Sequence, residues 1–210
     1  MKKRTVLTTF LSIAAILLGG CASTNGAGEA KVEYNPNTQS RIRLFGQNGG
    51  SSIMYSGIDC QAGNEGEKTN VGGGLGESFV SFLRMDQSET LGIPQTEATQ
   101  SLAKRDGILS KAFYKEFAIP AEKPVNLQIF SVTTPGPTPQ KGQHLLVMES
   151  NSCHSPAIAS FIPEKGKDYE ILGRWDDETR CPYPVVLEIT QIDNQVQIKE
   201  VQTSEAIKCK

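Results

Sequence analysis

The chain has 210 residues, with 21 Lys plus Arg, 23 Asp plus Glu and a formal net charge of −2. Residues 1–20 hold three basic groups and no acidic ones, so residues 21–210 carry 18 basic against 23 acidic groups, a net charge of −5. This negative balance argues against nucleic acid as a partner. The remaining 190 residues suit one domain, and 20 Gly with 11 Pro favour a β-rich fold with many turns.

The first predicted element is an export signal. Basic residues at positions 2–4 precede an apolar run over 6–18, which is too short for a comfortable membrane span. The run ends in Leu18-Gly19-Gly20-Cys21, which resembles the lipobox of bacterial lipoproteins. The resemblance implies that residues 1–20 are a cleaved lipoprotein signal peptide and that Cys21 becomes the lipidated, palmitate-bearing first residue.

The alternative for this segment is an ordinary cleaved signal peptide, with Cys21 as an unmodified thiol. One acyl chain holds a protein only weakly, whereas the resemblance implies several chains and therefore stable membrane anchoring. Ala22 and Ser23 follow Cys21. In lipoproteins of this type the lack of Asp there implies the outer membrane, with the protein facing the periplasm.

Residues 21–40 are small and polar, which predicts a flexible tether before a folded domain at 41–210. Alternating apolar residues and turn signals in that domain predict an antiparallel β-sandwich with a long irregular insertion at 61–107 and one short helix at 96–104. Hairpins are expected at 41–55, 157–175 and 183–201. The predicted strands cover 41–46, 52–55, 110–119, 125–132, 143–149, 157–162, 169–175, 183–191 and 195–201.

The insertion contains a glycine-rich stretch at 71–78. It lacks the spacing and the lysine of a phosphate-binding loop, so a surface loop is the preferred interpretation and no cofactor is predicted. Long loops in compact domains tend to be functional or disordered. Residues 61–107 are therefore interpreted as a lid or a partner-binding flap.

Four cysteines follow Cys21, and an even number in an exported chain predicts two disulfides with three possible connectivities. A metal site is the alternative, but there is no C-x-x-C and the only histidines are His144 and His154, so no metal is predicted. If residues 157–175 form a hairpin, position 153 falls near position 181. This geometry favours Cys153–Cys181 and leaves Cys60–Cys209.

A second, looser resemblance covers Pro120–Tyr169. Its strand, its GQHLLVMES segment and its Gly-Lys-x-Tyr turn at 166–169 look like small β-sandwich modules of bacterial lipoproteins. The resemblance brings no catalytic residues with it.

Candidate binding residues cluster near one turn: Arg174, Trp175 and Arg180. Exposed aromatic residues beside arginine favour protein or glycan contacts, although Trp175 could equally fill the core. The acidic run at 176–178 could bind Ca²⁺ but lacks the usual ligand spacing, so a solvated loop is the alternative.

No G-x-S-x-G or H-E-x-x-H motif occurs, and no catalytic residue is predicted. The sequence therefore favours a non-enzymatic, membrane-anchored cell-envelope module that binds or scaffolds an envelope protein or a glycan. Two alternatives stay open. One is an inhibitor that presents residues 61–107 to a hydrolase, and the other is an enzyme with a site around His154 or residues 176–178.

Overall fold

The computed structural model describes residues 34–47, 50–72, 88, 90–106, 111–130 and 157–209. These residues form two five-stranded sheets, as the predicted β-sandwich requires. Sheet 1 has the order β4-β1-β7-β8-β9, with β1 (Gln39–Gly46), β4 (Phe113–Pro120), β7 (Asp168–Asp176), β8 (Cys181–Ile192) and β9 (Gln195–Val201). Sheet 2 has the order β10-β6-β5-β2-β3, with β2 (Ser52–Ser56), β3 (Glu67–Val71), β5 (Val125–Ile129), β6 (Ile158–Phe161) and β10 (Ser204–Glu205).

The two sheets pack face to face through an apolar core. Strand side chains alternate between faces, so Ile42 and Leu44 of β1 point to this inner side and are fully buried. Each sheet contributes six fully enclosed side chains to the core. They are Ile42, Leu44, Ile119, Tyr169, Ile171 and Val186 from sheet 1, and Met54, Val71, Val125, Leu127, Ile129 and Phe161 from sheet 2.

A second, smaller core lies on the outer face of sheet 1. Residues 90–106, which we name the covering segment, contribute Ala98 and Leu102 to it. The segment contains helix α1 (Glu97–Gln100), which Thr96 caps through a reciprocal capping box with Thr99, and a 3-10 turn at Leu102–Arg105. The sheet side of this core consists of Phe45, Tyr114, Leu172, Val185 and Leu187, with Tyr183 beside them.

Two predicted hairpins are wrong. Strands β1 and β2 belong to different sheets, and only a Gln47–Gly50 bridge closes the turn between them. Strands β6 and β7 also lie in different sheets, with Gly166 at φ +72° in their connection. A short polar connection can turn a corner between two sheets as well as close a hairpin. The β8–β9 hairpin is confirmed, with Ile192 opposite Gln195.

The sheets are not wholly antiparallel, because β1 and β7 run parallel with Arg43 opposite Glu170. The fold also begins earlier than the predicted boundary at residue 41. Strand β1 starts at Gln39, and the Arg41 guanidinium lies 4.9 Å from the Tyr34 ring centroid. Part of the predicted insertion is regular, since β3 pairs with β2 in sheet 2.

The C-terminal tail is fixed at three points, two on sheet 2 and one on the connection between β2 and β3. Strand β10 pairs with β6, and the Asn126 side chain exchanges two hydrogen bonds with the backbone of Ile207. The predicted Cys60–Cys209 disulfide is present and joins positions 149 residues apart. The tail is therefore an integral part of the domain.

Several predictions fall outside the described residues. They concern the signal peptide at 1–20, Cys21, most of the tether, most of the glycine-rich stretch at 71–78, the strand at 143–149, and Cys153. The Cys153–Cys181 bond stays a prediction. The hairpin argument for it no longer holds, because β6 and β7 do not pair with each other.

Candidate functional site

The most concentrated chemistry among the described residues lies on the outer face of sheet 1. Strand register places Glu116 and Glu170 on either side of Arg43, in three adjacent strands. One row further along, Arg41 lies opposite Asp168. We call these five residues the buried ion network.

Arg43 is the centre of the network and is completely buried. Its Nε and Nη2 donate to Glu116 Oε1 at 3.0 and 2.7 Å, and its Nη1 donates to Glu170 Oε2 at 2.8 Å. The guanidinium also donates to the carbonyl oxygens of Ile93 and Pro94, at 2.7 to 3.2 Å. A buried charge needs this degree of pairing, because an uncompensated one costs several kcal/mol.

Glu116 fastens the start of the covering segment. Its Oε2 accepts hydrogen bonds from three consecutive backbone N–H groups, those of Leu91, Gly92 and Ile93, and from the Thr90 hydroxyl. Its other oxygen accepts from Arg43. One carboxylate thus holds both a strand of the sheet and the loop above it.

Glu170 fastens the next part of the segment. Both of its carboxylate oxygens lie within 2.9 Å of the Thr96 hydroxyl oxygen, which donates its single proton to this carboxylate. Thr96 is also the N-cap of α1. The start of the helix is therefore positioned by a charged residue of β7.

Arg41 and Asp168 form a bidentate pair at the edge of the network. Arg41 Nε and Nη2 donate to the two Asp168 oxygens at 2.7 Å each, and Nη1 donates to the Leu91 carbonyl at 2.8 Å. Burial lowers the pKa of Arg41, but the Asp168 carboxylate outweighs that effect and the net direction is upward. The pair adds a third attachment point for the covering segment.

Arg105 brings a further positive charge to this layer. Its guanidinium lies 4.9 Å from the Phe45 ring centroid, and its Nη2 donates to the Ala98 carbonyl at 2.8 Å. Burial lowers the pKa of Arg105, and the nearby Glu170 charge only partly offsets this. With Arg105 included, three arginines face three carboxylates, so the layer is balanced in formal charge.

The geometry of this network gives it a structural role. The side chains of Arg43, Glu116 and Glu170 are at most 1% exposed. A general acid or base must reach a substrate proton directly or through one water molecule, and these carboxylates are enclosed by the covering segment. The hydrogen bonds and ion pairs of the network hold the covering segment over the second core.

No protein-family model matches the chain, and neither a curated protein nor a solved structure is significantly similar to it. The fold and its site are therefore interpreted from this chain's own residues.

Two of the predicted binding residues, Arg174 and Trp175, lie on opposite sides of β7. Arg174 shares the outer side of β7 with Leu172, and it forms an ion pair with Glu200 at 2.9 Å. Trp175, the next residue, points to the opposite side of the sheet and is partly exposed. Arg180 lies in the turn before β8 at φ 55°. Strand alternation separates Arg174 from Trp175.

The acidic run at 176–178 stabilises a turn. Asp176 accepts hydrogen bonds from the Thr179 hydroxyl at 2.7 Å and from the Glu178 backbone N–H at 3.0 Å. These two bonds lower the pKa of the Asp176 carboxyl. Among the described residues, no group of three or more His, Cys, Asp or Glu side chains is arranged to hold a metal ion.

The remaining candidate residues have different outcomes. Cys60 and Cys209 form a disulfide, and Cys181, buried at the start of β8, is also disulfide-bonded. Its predicted partner Cys153 lies outside the described residues. His144 and His154 also lie outside them.

Within the part of the chain that the structure describes, no helix is long and apolar enough to cross a membrane.

Sequence reasoning missed the buried ion network. One signal was available: Arg41 and Arg43 alternate with Ile42 and Leu44 in a strand that has neighbours on both sides. Charged side chains at alternate positions of a central strand must either face solvent or be paired beneath a further layer of the protein. The sequence does not say which applies, because the covering segment comes from residues about fifty positions later.

Proposed function

We propose that this chain is a lipid-anchored protein of the bacterial cell envelope, held through Cys21 at the outer membrane and facing the periplasm. In this proposal its β-sandwich is a non-enzymatic module that binds or scaffolds an envelope protein or a glycan. Neither a cofactor nor a metal takes part. The lipobox-like segment at 18–21 is the basis for the anchor.

One observation carries the binding role. The charged groups of the buried ion network hold the covering segment against sheet 1, and Arg43 and both glutamates are enclosed there. Such an arrangement builds a rigid three-layer body without opening a polar cleft at these residues. A rigid body on a membrane anchor suits a protein that works by contact.

The anchor is tested first. We expect the full-length chain, produced in a double-membraned bacterium, to incorporate labelled palmitate and to fractionate with the outer membrane. Cys21→Ser should abolish both the label and the fractionation, whereas Cys60→Ser should leave the label in place. A wild-type chain that carries no label would overturn the anchor.

The binding role is tested by crosslinking the tagged full-length chain in the envelope, followed by mass spectrometry. One dominant protein or glycan partner is the expected result. A chain with no partner above background, together with turnover of a substrate in a hydrolase screen, would overturn the non-enzymatic role. Potent inhibition of a hydrolase that is lost on deleting residues 73–87 would replace it by the inhibitor alternative.

A further inference from the structure

The edge strand β9 is the longest mostly exposed strand of the described fold. It is the last strand of sheet 1, and six of its seven residues are exposed. Strand β8 pairs with one side of β9, and no strand of the described residues pairs with the other. An edge strand with unpaired backbone groups is a template for a further strand.

The other three sheet edges are better protected. Strand β10 is only two residues long, and β3 starts with the exposed charged residues Glu67 and Lys68. Strand β4 ends in Pro120 and carries Glu116, to which the covering segment is fastened. Short length, charge, proline and a covering loop are the usual protections of an edge. Strand β9 has seven residues and no proline, and its two charged residues, Lys199 and Glu200, follow the apolar Val196 and Ile198 near its C-terminal end.

The hairpin geometry identifies the free backbone groups of β9. Asp193 and Asn194 both have positive φ, 50° and 62°, as in a two-residue type I′ turn. In such a hairpin the closing pair, here Ile192 and Gln195, is hydrogen-bonded, and the pattern alternates along the strands. The backbone N–H and C=O of Val196, Ile198 and Glu200 therefore point away from β8.

The side chains of β9 on the outer face of sheet 1 are apolar where the covering segment no longer reaches. Ile189 of β8 is 3% exposed, whereas its cross-strand neighbour Ile198 is 47% exposed. Val196, two residues away on the same side, is 37% exposed. The apolar surface of sheet 1 thus continues to its free edge.

We propose that β9 pairs antiparallel with β9 of a second copy of this chain, about a two-fold axis at Gln197. The pattern on either side of Gln197 is symmetric: Val196 and Ile198 flank it, and Gln195 and Lys199 follow outward. An antiparallel copy therefore sets Val196 against Ile198 twice and Lys199 against Gln195 twice. The free backbone groups of Val196 and Ile198 fall in hydrogen-bonded pairs.

The next two registers toward the C-terminal end of β9 are less favourable. Moving the axis to Ile198 sets each Glu200 carboxylate against Val196, and moving it to Lys199 sets two ammonium groups against each other. Like charges directly opposite destabilise a strand pair, whereas β-branched pairs stabilise it. An isologous two-fold contact also closes on itself and gives a dimer with one continuous ten-stranded sheet. This inference does not depend on the lipid anchor or on a second envelope partner.

The register is tested by cysteine crosslinking of the full-length chain. Gln197 faces its own copy in a non-hydrogen-bonded pair with a Cα–Cα distance of about 4.5 Å, which a disulfide can bridge. We expect Gln197→Cys to give a reducible dimer on mild oxidation. The matched variant Lys199→Cys places the two thiols four residues out of register, about 13 Å apart, and should give at least tenfold less dimer.

A second measurement keeps the test independent of engineered cysteines. The detergent-solubilised full-length chain should sediment as a dimer. Ile198→Lys should raise the dissociation constant of this dimer at least tenfold without changing the far-UV circular dichroism. A monomeric wild type, or equal crosslinking at positions 197 and 199, would overturn the proposal. Crosslinking of Gln197→Cys to a different envelope protein alone would also overturn it, while leaving the proposed binding function in place.

Discussion

The substitution Glu116→Gln tests whether the buried ion network holds the covering segment. The Glu116 carboxylate accepts six hydrogen bonds, two from Arg43 and four from residues 90–93. A glutamine amide has the same shape but keeps only one acceptor oxygen. Its NH₂ group must therefore face either the Arg43 donors or the loop N–H groups.

The magnitude follows from which donors can find water instead. Gly92 is exposed and Leu91 is partly exposed, so water can replace some of their lost bonds. Arg43 and the backbone N–H of Ile93 are buried and cannot recover in this way. A buried donor left unpaired costs about 1–3 kcal/mol, and removing one partner of a buried ion pair costs about 3–5 kcal/mol. We expect a loss of about 3 kcal/mol.

The assay is urea unfolding of the oxidised chain, followed by far-UV circular dichroism and by the fluorescence of Trp175, the single tryptophan. For a domain of this size, about 3 kcal/mol corresponds to a fall in melting temperature of about 6–12 °C. The matched control is Glu122→Gln. Glu122 pairs with Lys165 at the surface and is 64% exposed, so its loss should cost less than about 1 kcal/mol. Equal effects of the two variants would refute the reasoning.

Three further predictions concern the disulfide, an aromatic core residue and a turn. Replacing Cys60 and Cys209 by serine removes the disulfide and should cost about 2–5 kcal/mol in the same unfolding assay. Burial raises the pKa of Tyr169, so the folded chain holds the phenol proton more tightly than the unfolded chain. The resulting stability is complete below about pH 10 and is lost as the pH rises further, and Tyr169→Phe should reduce this alkaline loss in unfolding curves recorded across that range. A Cβ on Gly72 would lie 2.7 Å from a backbone oxygen, whereas one on Gly63 meets nothing within 4 Å, and both residues have positive φ. We expect Gly72→Ala to cost at least about 2 kcal/mol more than Gly63→Ala, measured by thermal unfolding.

Each of these expectations can fail separately. An unchanged stability of the double serine variant would mean that the tail contacts around Asn126 suffice to hold the C-terminus. Identical alkaline unfolding curves for wild type and Tyr169→Phe would contradict the role of the buried phenol. Equal melting temperatures for the two alanine variants would contradict the steric argument at Gly72.

The sequence predicted those elements that local pattern determines. The alternation of Ile42 with Leu44 gave β1, and the Asp193-Asn194 turn closed the β8–β9 hairpin as expected. The predicted helix at 96–104 is present as α1 followed by a 3-10 turn. In each case the interactions that define the element lie within a few residues of one another.

The parts that failed depend on contacts between distant residues. A corner between sheets and a hairpin turn use the same Gly-rich or Pro-containing residues. Whether β1 pairs with β2, and whether β6 pairs with β7, could therefore not be decided from the local sequence. The buried ion network joins Arg43 to residues 73 and 127 positions later. Its arginines resemble ordinary surface residues until the covering segment is placed over them.

The parallel pairing of β1 with β7 has a consequence for how the chain must be made. The first strand of the domain takes a central place in sheet 1, yet one of its two neighbours begins only at Asp168. Such long-range pairing is slow, because the entropy cost of closing the intervening chain is incurred before the contact contributes any stability. A chain that emerges from its N-terminus therefore exposes the apolar side of β1 until most of the domain has followed. If the chain crosses a membrane as proposed, folding is delayed until after passage, and the emerging strand is exposed to aggregation until its partner strands follow.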